Sequence, residues 1–252
     1  MDRLKLLAGE NYQVTPHLEI NNPTLGEIRD YPEEKYWGII SAVTATAYDY
    51  RVLLDDSGID YVGIEDYEMF LMTVPNLKYE STKLLFPDIH FEKLEKVMDK
   101  TTKEIYLVEL VEDNAGNIID VKTIIDRSIY HDVVDYIRKC HGYERNWLVP
   151  GNKMARKILI DDERERLRRD SKEPFKSKLE PLVSALCNME GFKYNYETVW
   201  DLPIYTFFNA LHRIDKIRTS NHTYATINSG FFDMKKANKA QLNKDLNWKG
   251  EL

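Results

Sequence analysis

Over much of the chain apolar residues recur every three or four positions, the interval that lines one face of an α-helix. The strongest case lies over residues 198–217. Asp201 can cap, Pro203 stands just inside, and Ile204, Phe207, Phe208, Leu211, Ile214 and Ile217 follow on one side. This predicts a long helix that runs on toward Ser229-Gly230. Closer to the start, Pro32 at a first helical position, Glu33 and Glu34 in the first turn, and the stripe Trp37, Ile40, Ala42, Val43 and Ala47 predict a helix over 33–46. A helix over 48–56 ends at Ser57-Gly58, and another opens at Glu65-Asp66, buries Tyr67, Phe70, Leu71 and Val74, and closes at Pro75. Ser128 can cap a helix over 129–141 with Ile129, Val133, Val134, Ile137 and Cys140 inward. A strongly charged helix over 151–170 carries a thin stripe of Met154, Ile158, Leu159 and Leu167. The last of the set, over 178–189, shows Leu179, Leu182, Val183 and Leu186.

Between about 77 and 122 the period changes. Glu104 to Val111 reads as a strand, 113–117 as a turn, and Ile118 to Val121 as the returning strand. Leu84-Leu85-Phe86 and the stretch 91–97 can add strands to a small sheet. The predicted fold is therefore mainly α, a helical bundle-like core with a small antiparallel β-insert. Residues 1–23, punctuated by Asn and Pro without a sustained period, read as an extended arm. The helical core covers 24–76 and 123–230, the insert 77–122, and a polar tail 231–252.

Composition fits a soluble globular protein: 43% apolar residues can fill a core, and 31% charged residues with a mean hydropathy of −0.50 argue against a membrane protein. No apolar run approaches the ~18–20 residues of a membrane helix. The apolar stretch after Met1 is too short for a signal peptide. Cys140 and Cys187 are the only cysteines, too few for a disulfide framework or a cysteine zinc site, and a reducing cytosol suits them. The net charge of −7 is unevenly spread. Residues 1–135 hold 27 acidic and 13 basic side chains, whereas 136–252 hold 15 and 22. Solvated helix faces account for this in the simplest reading; two ends that meet different surfaces, or stack on each other, are the alternative. The acidic balance also speaks against nucleic acid as a main partner.

Candidate chemistry is sparse. Asp126, His131, Asp132, Asp135 and His141 gather on one helix, and His131 and Asp135, four apart, share a face as a metal pair would. No HExxH and no third ligand at a recognisable spacing accompany them. Asp55, Asp56, Asp60 and Asp66 form an acidic patch without the alternate ligands, central glycine and closing glutamate of a calcium loop, so a helix end and turn is the better reading. Phosphate-binding glycine loops, a nucleophile elbow and zinc-finger spacing are all absent. The expectation is a protein that is not an enzyme, with no cofactor and no resident metal.

Two stretches carry a resemblance. Pro23 to Ile28, Tyr36-Trp37 and Leu53 to Tyr61 form the first; Trp200 to Ile214 with the closing Asn247-Trp248 forms the second. Together they resemble tail assembly chaperones encoded in the tail modules of bacteriophages. The resemblance implies a non-enzymatic helical protein of the host cytoplasm that coats the tape measure protein, recruits tail tube subunits and self-associates. The partner-binding element it suggests is the helix of Phe207, Phe208, Leu211 and Ile214, with Trp200 and Trp248 as anchors. The competing readings are that these residues fill the protein's own core, that the protein is a virion component such as a neck, connector or baseplate part, or that His131 and Asp135 serve a metal-dependent hydrolase.

Overall fold

A computed structural model of the chain describes residues 2–113, 118–230 and 237–250. Among the described residues there are eleven α-helices and two small antiparallel sheets, and 53% of the chain is helical, the expected class. The first elements are a helix, α1 (Arg3–Leu7), and a hairpin of β1 (Tyr12–Thr15) and β2 (Leu18–Ile20). Residues 1–23 are thus not an extended arm. Leu6, Leu18 and Ile20 are fully buried, and Tyr12 stacks on Tyr136 with ring centroids 4.8 Å apart. These apolar residues are too few and too widely spaced to show a period, yet each fills a place in the core.

α2 (Leu25–Asp30) starts in a capping box, Thr24 with Glu27, and α3 (Glu33–Thr44) follows Pro32. α4 (Arg51–Asp56) begins later than the pattern predicts, because Asp49 accepts hydrogen bonds from the Thr46 N–H and hydroxyl and holds residues 46–49 as a turn. α5 (Asp66–Thr73) and a short α6 (Tyr79–Thr82) lead into the insert. There β3 (Glu95–Met98), β4 (Ile105–Glu112) and β5 (Ile118–Ile125) form a sheet with β4 in the middle. Leu84-Leu85-Phe86 is not a strand: Leu85 and Phe86 are buried where a turn folds back on the helices, and residues 91–93 are a 3-10 turn. Of the predicted turn over 113–117, residues 114–117 lie outside the described residues.

α7 (Arg127–His141) starts two residues before the predicted span, capped by Asp126 rather than Ser128, and ends at Gly142 in the left-handed region that glycine tolerates. α8 (Lys153–Asp170), α9 (Leu179–Cys187), α10 (Ile204–Asn228) and α11 (Lys239–Leu246) complete the chain. The polar tail therefore contains a helix, while residues 231–236 and 251–252 lie outside the described residues.

One apolar core joins nearly all of these elements. Tyr36, Trp37 and Ile40 of α3 pack with Phe70 of α5, Tyr130, Val134 and Ile137 of α7, Leu186 of α9 and Phe207 of α10, and the sheet adds Leu107 and Ile125. The two ends of the core are stitched together by backbone. The Leu25 N–H donates to the Leu202 carbonyl at 2.9 Å, and the Ile204 N–H to the Pro23 carbonyl at 2.8 Å. Asn22, buried between them, donates to the Leu6 carbonyl and accepts from the Tyr205 N–H. Gly26 allows this approach, since a Cβ there would stand 3.0 Å from the Trp200 carbonyl oxygen.

α8 departs from its predicted orientation. Met154, at 69% exposure, and Ile158 and Leu167 face solvent, and only Ile160 is buried, in a small cluster with Val52, Leu54 and Tyr61. The packed face runs through Arg156, Ile160 and Arg164. Arg156 pairs with Asp60 at 2.7 Å, and Arg164 reaches Asp55 and Asp56. Charge steers this helix more than its leucines and methionines do. The acidic patch at residues 55–60 is a helix end and turn that these arginines cover.

Candidate partner-binding site

The residues singled out on α10 divide sharply. Phe207 is 0% exposed and Phe208 8%, each ring inside the protein's own core. Leu211 and Ile214 are half-buried against that core, and Ile217 reaches the surface. Trp200 is half-buried: its indole N–H donates to the Tyr196 carbonyl at 2.8 Å, and the Arg29 guanidinium lies 5.0 Å from its ring. Trp248 is 43% exposed, with the Lys249 ammonium 5.1 Å from the ring and its carbonyl accepting from Arg213. Of the six, Trp248 alone offers a broad apolar surface to solvent.

The polar residues of α7 also separate. Asp126 caps the helix by accepting from the Ile129 N–H at 2.8 Å. His131, Asp132 and Asp135 are exposed, whereas His141 is fully buried on the opposite face. Among the described residues no group of three His, Cys, Asp or Glu side chains is arranged to hold a metal ion. The Ile137 carbonyl can only accept, so His141 Nδ1 carries its proton; Nε2 then accepts from the Tyr36 hydroxyl at 2.5 Å. Burial pushes its pKa from the ordinary 6.5 down to about 4. A neutral histidine locked between two partners is a core element rather than a reactive base.

A different surface stands out from the geometry. The sheet register sets Val97 beside Tyr106, Val108 beside Ile124 and Leu110 beside Val121. Since alternate residues share a face, these six line one side of the sheet, while Leu107, Glu109, Thr123 and Ile125 turn to the core. Val97, Val121 and Ile124 are exposed, as are Met98 and, farther along β5, Ile118 at 60% and Ile119 at 63%. Bulges interrupt the β4–β5 ladder, and the Val121 N–H is taken by the carboxylate of Asp120. The outer edge is therefore blunted, while Val97, Val121 and Ile124 on the flanking strands stay exposed around a buried Val108. A smaller exposed apolar run, Trp147-Leu148-Val149, lies between α7 and α8 with the Arg145 guanidinium 3.5 Å from the Trp147 ring. Sequence reasoning passed over both. The signal for the first was the near-continuous apolar run 105–111, which marks a strand apolar on both faces.

No described helix is long and apolar enough to cross a membrane. No curated protein matches the chain, and no solved structure does. Residues 170–248, from the end of α8 to Trp248, match the model of the YomV second domain, a phage-derived family, and in this part the chain is similar to a phage protein.

Proposed function

We propose that the protein is a phage assembly factor that acts by holding an apolar segment of another protein. In its narrower form it is a tail assembly chaperone that covers part of the tape measure protein until tail tube subunits take its place. One observation carries the reading: the sheet of the insert presents Val97, Val121 and Ile124 with Ile118 on an open face. Several exposed apolar residues on one sheet favour a protein–protein contact, because leaving them in water costs free energy that a partner recovers. The phage-derived family matched by residues 170–248 supports the setting. The insert, rather than α10, is the working element in this reading, since Phe207 and Phe208 are committed to the core. The protein works in the host cytoplasm during assembly and needs no cofactor.

The test is co-expression with the neighbouring tail genes followed by pull-down, using the natural chain and the pair Val121→Glu with Ile124→Glu. Capture of the tape measure or tube protein by the natural chain, lost in the pair, supports the chaperone. Absence of capture, with the protein present in purified particles, replaces it by a virion component.

A further inference from the structure

On the side of the molecule formed by α1, α7, α10 and α11 lies an open cleft of about 1070 Å³. Seven of its lining residues are Lys or Arg and three are Asp or Glu, in a chain whose net charge is −7. Its walls include the rings of Tyr143, Tyr205 and Phe208. Four of the seven cations already have partners, Arg3 and Lys216 among them. Arg138 donates to the Thr44 carbonyl at 2.8 Å, and Arg213 holds the Trp248 and Gly250 carbonyls. Lys139 at the end of α7, Lys244 at the end of α11 and Lys249 beyond it are exposed, and no carboxylate among the described residues pairs with them. Three ammonium groups from three places in the chain thus border one aromatic-walled space.

We propose that this cleft binds a short acidic peptide segment of a partner protein, with its carboxylates on Lys139, Lys244 and Lys249 and an apolar side chain against the partly exposed ring of Tyr143. The cations supply attraction and orientation, and the Tyr143 ring supplies an apolar contact that makes a pocket selective. A nucleic-acid strand fits less well. Asp135, Glu144 and Asp215 interrupt the cationic lining and would face a continuous row of phosphates, whereas a peptide can meet them with backbone N–H groups or its own lysines. The overall negative charge also repels a long polyanion at a distance but leaves a short acidic stretch able to enter. The cleft is separate from the apolar sheet face, so failure of either surface leaves the other standing.

Fluorescence anisotropy tests this with three labelled probes: a pool of short peptides degenerate in Asp/Glu and Leu/Phe, the same pool with Lys replacing the acids, and single-stranded oligo-dT. The full-length chain is expected to bind the acidic pool, more weakly at high salt, and to ignore the lysine pool. In Lys139→Glu with Lys244→Glu, binding of the acidic pool should fall by about tenfold or more. The milder Lys139→Gln with Lys244→Gln should lie between, with circular dichroism melting curves recording that both variants remain folded. Equal binding of acidic and lysine pools, or no loss in the folded variants, overturns the proposal. Tighter binding of oligo-dT, lost in the same variants, overturns it in favour of nucleic acid.

Discussion

His141 and Glu33 show how single polar residues hold helices together here. The imidazole of His141, neutral and buried, links α7 to Tyr36 of α3. Above pH 6.5 it is neutral folded and unfolded alike, and its contribution is complete. Below that the unfolded chain takes up a proton that the folded one refuses until about pH 4, so stability falls across this window. Between pH 7 and 5 the loss expected from this residue is about 2 kcal/mol. Urea unfolding at the two pH values should show that loss in the natural chain and a flatter response in His141→Gln; parallel responses would dismiss the assignment. Glu33 works at the surface of the core. It accepts from the Trp37 indole at 2.8 Å, the Ser177 hydroxyl, and the N–H groups of Lys178 and Leu179, so a residue of α3 caps α9. Burial raises its pKa, but the hydrogen bonds together outweigh that and leave it below the ordinary carboxylate value. The stability it contributes is therefore present above the usual Glu range and fades as pH falls through the folded value. Glu33→Ala should destabilise the chain by about 2 kcal/mol in urea unfolding at neutral pH. His141 follows Val133 and Ile137 at intervals of four on the buried stripe, but its polar type grouped it in the sequence with His131 and Asp135 instead. Glu33's place was not legible either, because its partners on α9 lie more than a hundred residues away and no local period reports them.

Helices with a strong apolar stripe were readable, and those held by other means were not. α3, α5, α7 and α10 were placed to within a few residues because burial and period coincide. α8 was turned the wrong way because its packed face is set by Arg156 and Arg164 reaching Asp60, Asp55 and Asp56, pairs invisible to an apolar pattern. α11 escaped notice for a related reason: it contributes no buried residue and is retained by side-chain bonds to carbonyls at and just past its end, Ser220 to Leu246 and Arg213 to Trp248. Such a helix opens at low energetic cost. Its amides should exchange with deuterium far sooner than those of α7, and equal protection of the two would contradict the weak docking. The sheet makes the opposite prediction. Because Val121 and Ile124 face outward, the pair Val121→Glu with Ile124→Glu should alter the melting temperature little and reduce binding of an apolar dye such as ANS. The sheet's existence followed from the change of the helical period between residues 77 and 122, but which face is open depended on where the rest of the core lies.

At the scale of the molecule, part of the uneven charge is met by ion pairs between the two halves of the chain. Asp55, Asp56, Asp60 and Asp66 of the acidic half meet Arg164, Arg156 and Arg145 of the basic half. These pairs tie the acidic half to the basic half within one molecule, and six further cations of the basic half line the cleft. The insert and the helices share one core, so calorimetry should record a single transition with matching calorimetric and van't Hoff enthalpies; two resolved transitions would mean that the insert folds by itself. The backbone stitch between residues 23–25 and 202–204 adds a constraint in time. Leu6, Ile20 and Asn22 leave the ribosome early, yet the residues that complete their surroundings, Ile204 and Tyr205, are made about 180 positions later. At about 5–20 residues per second the nascent chain waits on the order of ten to forty seconds with that end unfinished. Chains stalled before residue 205 should be open to protease over residues 3–22, and a cell making this protein has to shelter that stretch until residues 204 and 205 have been translated.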